Sequence, residues 1–151
     1  MKIKMLVMDV DGTLTDGKIY IGENGEIMKA FNVKDGYGIV SARKQGIVPV
    51  IITGRQSKIV EERAKELGIE ALYQVVDDKV EVLKGVADKY GILLDEVAYI
   101  GDDLNDLGCM EICGLSGCPG DAVREVIDRV DYVCKCEGGC GAVREFVGYL
   151  I

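Results

Sequence analysis

The chain contains no histidine. That excludes histidine general bases, nucleophile–histidine triads and histidine-ligated metal centres, so acid–base or metal chemistry must come from other side chains. Positive charge is also short. Eighteen lysines and arginines stand against 26 aspartates and glutamates, a formal net charge of −8. Such a field repels an extended phosphate backbone, which argues against nucleic acid as a partner. A small phosphorylated substrate stays within reach, because a metal ion and a few local cations outweigh a mean field. No apolar run approaches the ~18 residues of a membrane span. The first apolar run ends in acidic residues rather than a cleavage site, so nothing reads as a secretory leader. A cytoplasmic protein with no membrane partner is the expectation. Internal repeats, linkers and low-complexity stretches are absent too.

What is present suits one compact domain spanning 1–151: 151 residues, 48% of them hydrophobic. Apolar runs alternate with helical patterns. Met5 to Met8 reads as a buried strand, followed by a hairpin over about 17–32. There Asn24-Gly25 favours a two-residue turn with both central residues at positive φ. A helix is expected from Asp35 to Gln45, then a strand from Val48 to Ile52 with Pro49 at its first position, since proline cannot donate to a ladder. Ile59, Val60, Arg63, Ala64 and Leu67 recur at helical spacing up to Gly68. Ala71 to Val76 reads as a third strand, Val82 to Tyr90 as a helix, and Val97 to Ile100 as a fourth strand. A short helix, a turn-rich stretch around Cys118-Pro119-Gly120, a helix from Asp121 to Asp128, a strand at Tyr132-Val133 and an amphipathic tail complete the chain. Strands separated by helices imply right-handed crossovers: an α/β fold with a doubly wound, mostly parallel sheet.

In a parallel sheet, residues that follow the strands share one edge, where such folds bind ligands. Asp9 and Asp11 follow the first core strand, Thr53 the second, Lys79 the third, and Asp102 and Asp103 the fourth. Two carboxylates one residue apart are costly to hold together unless a cation compensates them. The set suits hydrolysis of a phosphate ester. Asp9 is a candidate nucleophile giving an aspartyl-phosphate, and Asp11 a candidate general acid and base. Mg²⁺ favours oxygen ligands, so Asp9 and Asp102 through carboxylates and Asp11 through its carbonyl are candidate ligands. Thr53 and the Gly54 amide are candidates for phosphate oxygens, with Lys79 neutralising charge. Asp103 and Asp106, in a first helical turn, suit either the site or the helix dipole.

The segments Asp9-Val10-Asp11-Gly12-Thr13, Ile51-Ile52-Thr53-Gly54-Arg55, Lys79 and Gly101-Asp102-Asp103-Leu104-Asn105-Asp106 resemble the four motifs of the haloacid dehalogenase superfamily of phosphatases. Leu14-Thr15-Asp16-Gly17, Phe31 to Gly38 and Gly138 to Glu145 resemble its 3-deoxy-D-manno-octulosonate 8-phosphate phosphatases, and equally the nonulosonate 9-phosphate phosphatases. The resemblance implies a Rossmann-like core with a β-hairpin flap and no cap domain, and a small phosphorylated sugar acid as substrate. It also implies a homotetramer whose hairpins pack together, with a neighbour's glycine-rich tail reaching the site. Arg55 and Arg144 then become candidates for the sugar carboxylate. Cys140 stands where such tails usually carry a charged residue.

Two readings compete with a phosphatase. A receiver-type signalling domain also combines an aspartate, Mg²⁺, a threonine and a lysine on a doubly wound sheet, but lacks the Asp-x-Asp-Gly-Thr arrangement. A catalytically silent assembly protein would not need intact motifs. Six cysteines, Cys109, Cys113, Cys118, Cys134, Cys136 and Cys140, show no paired C-x2-C spacing. Free thiols, some of them buried, are the expectation.

Overall fold

Met5 to Met8 are all buried, a pattern that a central strand covered on both faces produces. The computed structural model describes residues 2–151 and places this run, β1 (Met5–Met8), in the middle of the molecule. A hairpin of β2 (Tyr20–Gly22) and β3 (Gly25–Met28) follows, then α1 (Val33–Lys44), β4 (Val48–Ile52), α2 (Lys58–Leu67) and β5 (Ala71–Tyr73). The second half runs α3 (Lys79–Lys89), β6 (Val97–Ile100), α4 (Leu107–Ile112), β7 (Leu115–Cys118), α5 (Arg124–Ile127), β8 (Tyr132–Val133) and α6 (Ala142–Leu150).

The main sheet has the order β5-β4-β1-β6-β7-β8, and every neighbouring pair is parallel. The chain winds outward from β1 through β4 to β5, then crosses back to β6 and winds the other way. The reversal opens a crevice beyond the carboxyl ends of β1 and β6. Alternation along the strands feeds two cores. Leu6, Met8, Ala98 and Ile100 pack with α1, α2 and α6, whereas Met5, Val7, Val97 and Tyr99 pack with α3, α4 and α5. Among the described residues no separate cap interrupts this α/β core.

Local departures from the sequence expectations have identifiable causes. Helix α1 starts at Val33, because the Asn32 side chain accepts from the Lys34 N–H and caps it. Pro49 is the second residue of β4, not the first. The Val48 N–H donates to Lys4 on the β1 side, so the nitrogen of Pro49 faces β5, whose pairing begins only at Val50. In the hairpin, Gly22 pairs with Gly25, leaving Glu23-Asn24 as the loop. Of the two expected turn residues only Gly25 takes a positive φ, 107°, so the expected Asn24-Gly25 turn gives way to one closed by a glycine at positive φ. Strand β5 stops at Tyr73, three residues early: the Thr53 N–H donates to the Tyr73 carbonyl, and the Val76 N–H returns to the Thr53 carbonyl. That wrap puts Val75 at φ 56°.

The turn-rich stretch expected around Cys118-Pro119-Gly120 is preceded by a strand the sequence does not predict, β7, which ends at Cys118 and pairs with both β6 and β8. The expected Asp121–Asp128 helix shrinks to the single turn of α5. The Ala122 N–H donates to Pro119 and the Val123 N–H to Asp102, which ties residues 121–123 to the loop after β6.

Candidate active site

At the crevice, the Asp9 N–H donates to the Ile100 carbonyl at 3.1 Å, extending the β1–β6 pairing by one step. This seats Asp9 against the loop that carries Asp102. Asp9, Asp102 and Asp106 each bring a carboxylate oxygen within 4.8 Å of the others. So many like charges with little water are unfavourable. Burial, with the Asp106 carboxylate adding to it, raises the Asp9 carboxyl above its ordinary range. Burial first, then the neighbouring Asp9, pushes Asp102 up to about 9.

Lys79 is the internal counter-charge. It is the first residue of α3, buried, and held by a helix whose N-cap is Asp78. Its Nζ lies 3.0 Å from Asp9 Oδ1 and 2.9 Å from Asp106 Oδ1. Burial alone would depress the ammonium; the two carboxylates outweigh it and raise it.

Asp106, whose role the sequence left open, is a brace. Its Oδ1 accepts from Lys79 and from the Tyr99 hydroxyl at 2.6 Å, while its Oδ2 accepts from the Asp102 and Asp103 N–H groups at 3.0 and 3.2 Å. Four donors occupy its oxygens, which leaves Asp9 and Asp102 as the carboxylate pair with capacity for a cation. An all-oxygen, histidine-free pair with excess negative charge fits Mg²⁺. The Thr13 hydroxyl donates to Asp102 Oδ1 at 3.4 Å. Gly12 lies so close behind Asp102 that a Cβ there would collide with the carboxylate, and its φ is +90°. Only glycine suits that position.

An open cleft of about 210 Å³ lies over this cluster, lined by Asp9, Asp11, Thr53, Gly54, Arg55, Asp102, Asp103 and Asn105. The fold therefore gathers six of the expected residues, Asp9, Asp11, Thr53, Gly54, Arg55 and Asp102, around one opening, with Lys79 bonded to Asp9. Arg144 is not among them. It sits on α6 with its guanidinium 5.0 Å from the Tyr37 ring centre and its NH1 3.5 Å from the Lys34 carbonyl. Within its own chain, the glycine-rich tail packs against the loop after β1. The Gly139 N–H donates to the Thr13 carbonyl at 3.1 Å, and a Cβ at Gly138 would strike the Gly12 carbonyl.

Sequence reasoning missed several groups. Lys29, from the hairpin, reaches Asp11 Oδ1 at 2.6 Å and Glu26 Oε2 at 3.2 Å. Tyr99 reads as core, and its hydroxyl function depends on Asp106 arriving from the following loop. Asn105 faces the cleft from a 3₁₀ turn. Asp35, buried, accepts the Arg144 N–H at 3.0 Å and so joins α1 to the start of α6. No spacing rule points to Lys29. The six cysteines are free thiols, as expected. Burial pushes Cys109, Cys118 and Cys134 up to about 12 and Cys113 to about 11, so these remain protonated and unreactive. Among the described residues no helix is long and apolar enough to cross a membrane.

Comparison with known proteins agrees with this geometry. Residues 72–146 match the family model of haloacid dehalogenase-like hydrolases. The chain is 49% identical over 149 residues to the 3-deoxy-D-manno-octulosonate 8-phosphate phosphatase of Escherichia coli K12, covering 99% of this chain and 79% of that protein. The crystal structure of the Yersinia pestis phosphatase of the same name superposes with a TM-score of 0.96 at 44% identity, covering 98% of this chain and 80% of that one. The Moraxella catarrhalis phosphatase, crystallised in complex with magnesium ion, phosphate ion and KDO, superposes with a TM-score of 0.95 at 43% identity, covering 98% and 85%.

Proposed function

The chain belongs to the haloacid dehalogenase-like hydrolases, in the group of 3-deoxy-D-manno-octulosonate 8-phosphate phosphatases, and from that premise we propose that it hydrolyses this sugar phosphate with Mg²⁺ as cofactor. The observation that carries the proposal is the meeting of Asp9 and Asp102 at the reversal point of the sheet, with Lys79 bonded to Asp9. Phosphate esters resist hydrolysis because their anionic oxygens repel nucleophiles and the alkoxide leaves poorly. Asp9 attacks phosphorus to give an aspartyl-phosphate. Asp11 protonates the departing sugar oxygen and then takes a proton from the water that cleaves the intermediate. Thr53 and the Gly54 N–H hold phosphoryl oxygens, and Lys79 offsets negative charge at the nucleophile. Mg²⁺, held by Asp9, Asp102 and the Asp11 carbonyl, supplies further positive charge on the phosphoryl group. Arg55, at the rim of the cleft, suits the sugar carboxylate. Arg144 is left without a substrate role from its own subunit.

Residues 1–151 act as one domain with the hairpin, about 17–32, as its flap. The same reading makes the protein a homotetramer in the cytoplasm. Exposed apolar side chains support the assembly: Ile21, Ile27 and Met28 on the hairpin, and Val33 and Tyr37 at the start of α1, are available to another subunit. Six free thiols suit a reducing compartment.

Two measurements test the activity. Asp9→Asn abolishes phosphate release with an unchanged fold; turnover above a few per cent of wild type would mean another nucleophile. Among phosphosugars, the octulosonate 8-phosphate gives the highest kcat/KM. A higher value for a nonulosonate 9-phosphate would reassign the substrate within the same chemistry.

A further inference from the structure

We propose that Lys29 is a positioning residue that holds the Asp11 carboxylate in its working orientation from the hairpin. The inference rests on the phosphatase reading above and assigns a role to a side chain that no motif marks.

Lys29 is not a solvated surface lysine. Its side chain is 2% exposed, and a buried ammonium is tolerated only when fully paired. It bridges Asp11 and Glu26. Glu26 in turn accepts the Ser57 hydroxyl. The same Ser57 oxygen caps α2 by accepting the Val60 N–H at 3.3 Å, and the Ser57 N–H donates to Gln74 Oε1 at 2.8 Å. The hairpin therefore clamps two loops together, the one after β1 that carries Asp11 and the one after β4 that follows Thr53 and Gly54. Among the described residues, Lys29 makes the only hydrogen bond to the Asp11 side chain. Without it, no hydrogen bond from the described residues fixes the Asp11 side chain.

Orientation matters differently in the two halves of the reaction. In the first, an Asp9 oxygen bonds to phosphorus and the P–O ester bond breaks. The electron pair stays on the ester oxygen, which takes a proton from Asp11. In the second, a water oxygen bonds to phosphorus and gives a proton to Asp11. The bond from phosphorus to Asp9 then breaks, and its pair returns to the carboxylate. A sugar alkoxide needs the proton in the first half; p-nitrophenolate leaves without one. A misplaced Asp11 therefore slows both halves with a sugar phosphate, but only the second with p-nitrophenyl phosphate.

Lys29→Met tests this. Acid–base catalysis is worth about 10²–10⁴-fold, so kcat on the octulosonate phosphate falls by about 10²-fold with KM changed less than about threefold. With p-nitrophenyl phosphate, rapid mixing shows a burst of about one p-nitrophenolate per site, followed by slow turnover, and quenched samples contain phosphorylated Asp9. Lys29→Arg, which keeps the ion pair, recovers about tenfold or more. Lys29→Gln, which keeps a donor beside Asp11, replaces Lys29→Met in the burst experiment if that variant loses its fold. Wild-type kcat without a burst overturns the proposal. So does an equal loss on both substrates with no burst and no recovery in Lys29→Arg, which would mark a structural lysine. If the wild type itself fails on the octulosonate phosphate, the substrate assignment fails instead, and the burst comparison still judges Lys29.

Discussion

Titrating the metal-free protein with Mg²⁺ at about pH 6, 7 and 8 perturbs the strongest electrostatic feature of the site. In the absence of a cation, burial and the nearby Asp9, Asp106 and Asp103 carboxylates push Asp102 from 3.8 up to about 9, and Asp9 is raised as well. At neutral pH the pair therefore holds a proton that Mg²⁺ must displace, since the cation requires both groups as carboxylates. One proton released per ion makes the association constant rise about tenfold per pH unit until the pH approaches that of the raised group. Folding follows the same linkage. Between the ordinary aspartate value and the raised one, the folded metal-free protein binds a proton that the unfolded chain does not. Its stability is therefore greatest at the acid end of that window and declines as pH rises through it. Added Mg²⁺ reverses the trend, so the gain in Tm on saturation is larger at about pH 8 than at about pH 6. Calorimetry in two buffers of different ionisation enthalpy counts the protons directly. An affinity flat across this range, with no proton released, would falsify the assignment of Asp9 and Asp102 as a crowded, proton-sharing pair.

Two further outcomes follow from single contacts. Tyr99→Phe removes a buried donor to the charged Asp106 and should cost about 1–3 kcal/mol, a Tm lower by roughly 2–12 °C, with kcat reduced as Lys79 loses its brace; an unchanged melting curve would show that the hydroxyl contributes nothing. Val75, 67% exposed and β-branched, sits at φ 56°, so Val75→Gly should raise stability by about 1 kcal/mol in denaturant unfolding, and a loss would reveal a contact that holds the valine there.

The parts of the molecule that were readable in advance share a physical basis. Strands β1, β4 and β6 are short apolar runs bounded by polar or glycine residues, and burial on both faces gives such runs no polar alternation. Helix α2 carries its stops in its own caps, Ser57 and Gly68. Strand β7 was invisible because its stability comes from the two strands beside it rather than from Leu-Ser-Gly-Cys itself. Arg144 lies away from its own subunit's cleft for a related reason. Its position depends on Asp35 and Tyr37, more than 100 residues earlier in the chain.

Sequence alone determined the alternating α/β order and the residues that follow each strand, because period, caps and turn chemistry act between near neighbours. Parallel strands then oblige Asp9, Thr53 and Asp102 to share an edge whatever the details of packing. Tertiary structure decided which acidic group is occupied as a brace and which keep free capacity. Asp106 is filled by donors from Lys79, Tyr99 and two backbone amides, and Asp11 is held from the hairpin by Lys29. Those assignments depend on distance between side chains remote in sequence. Electrostatic and hydrogen-bond energies fall off steeply with distance, so only the folded arrangement could settle them.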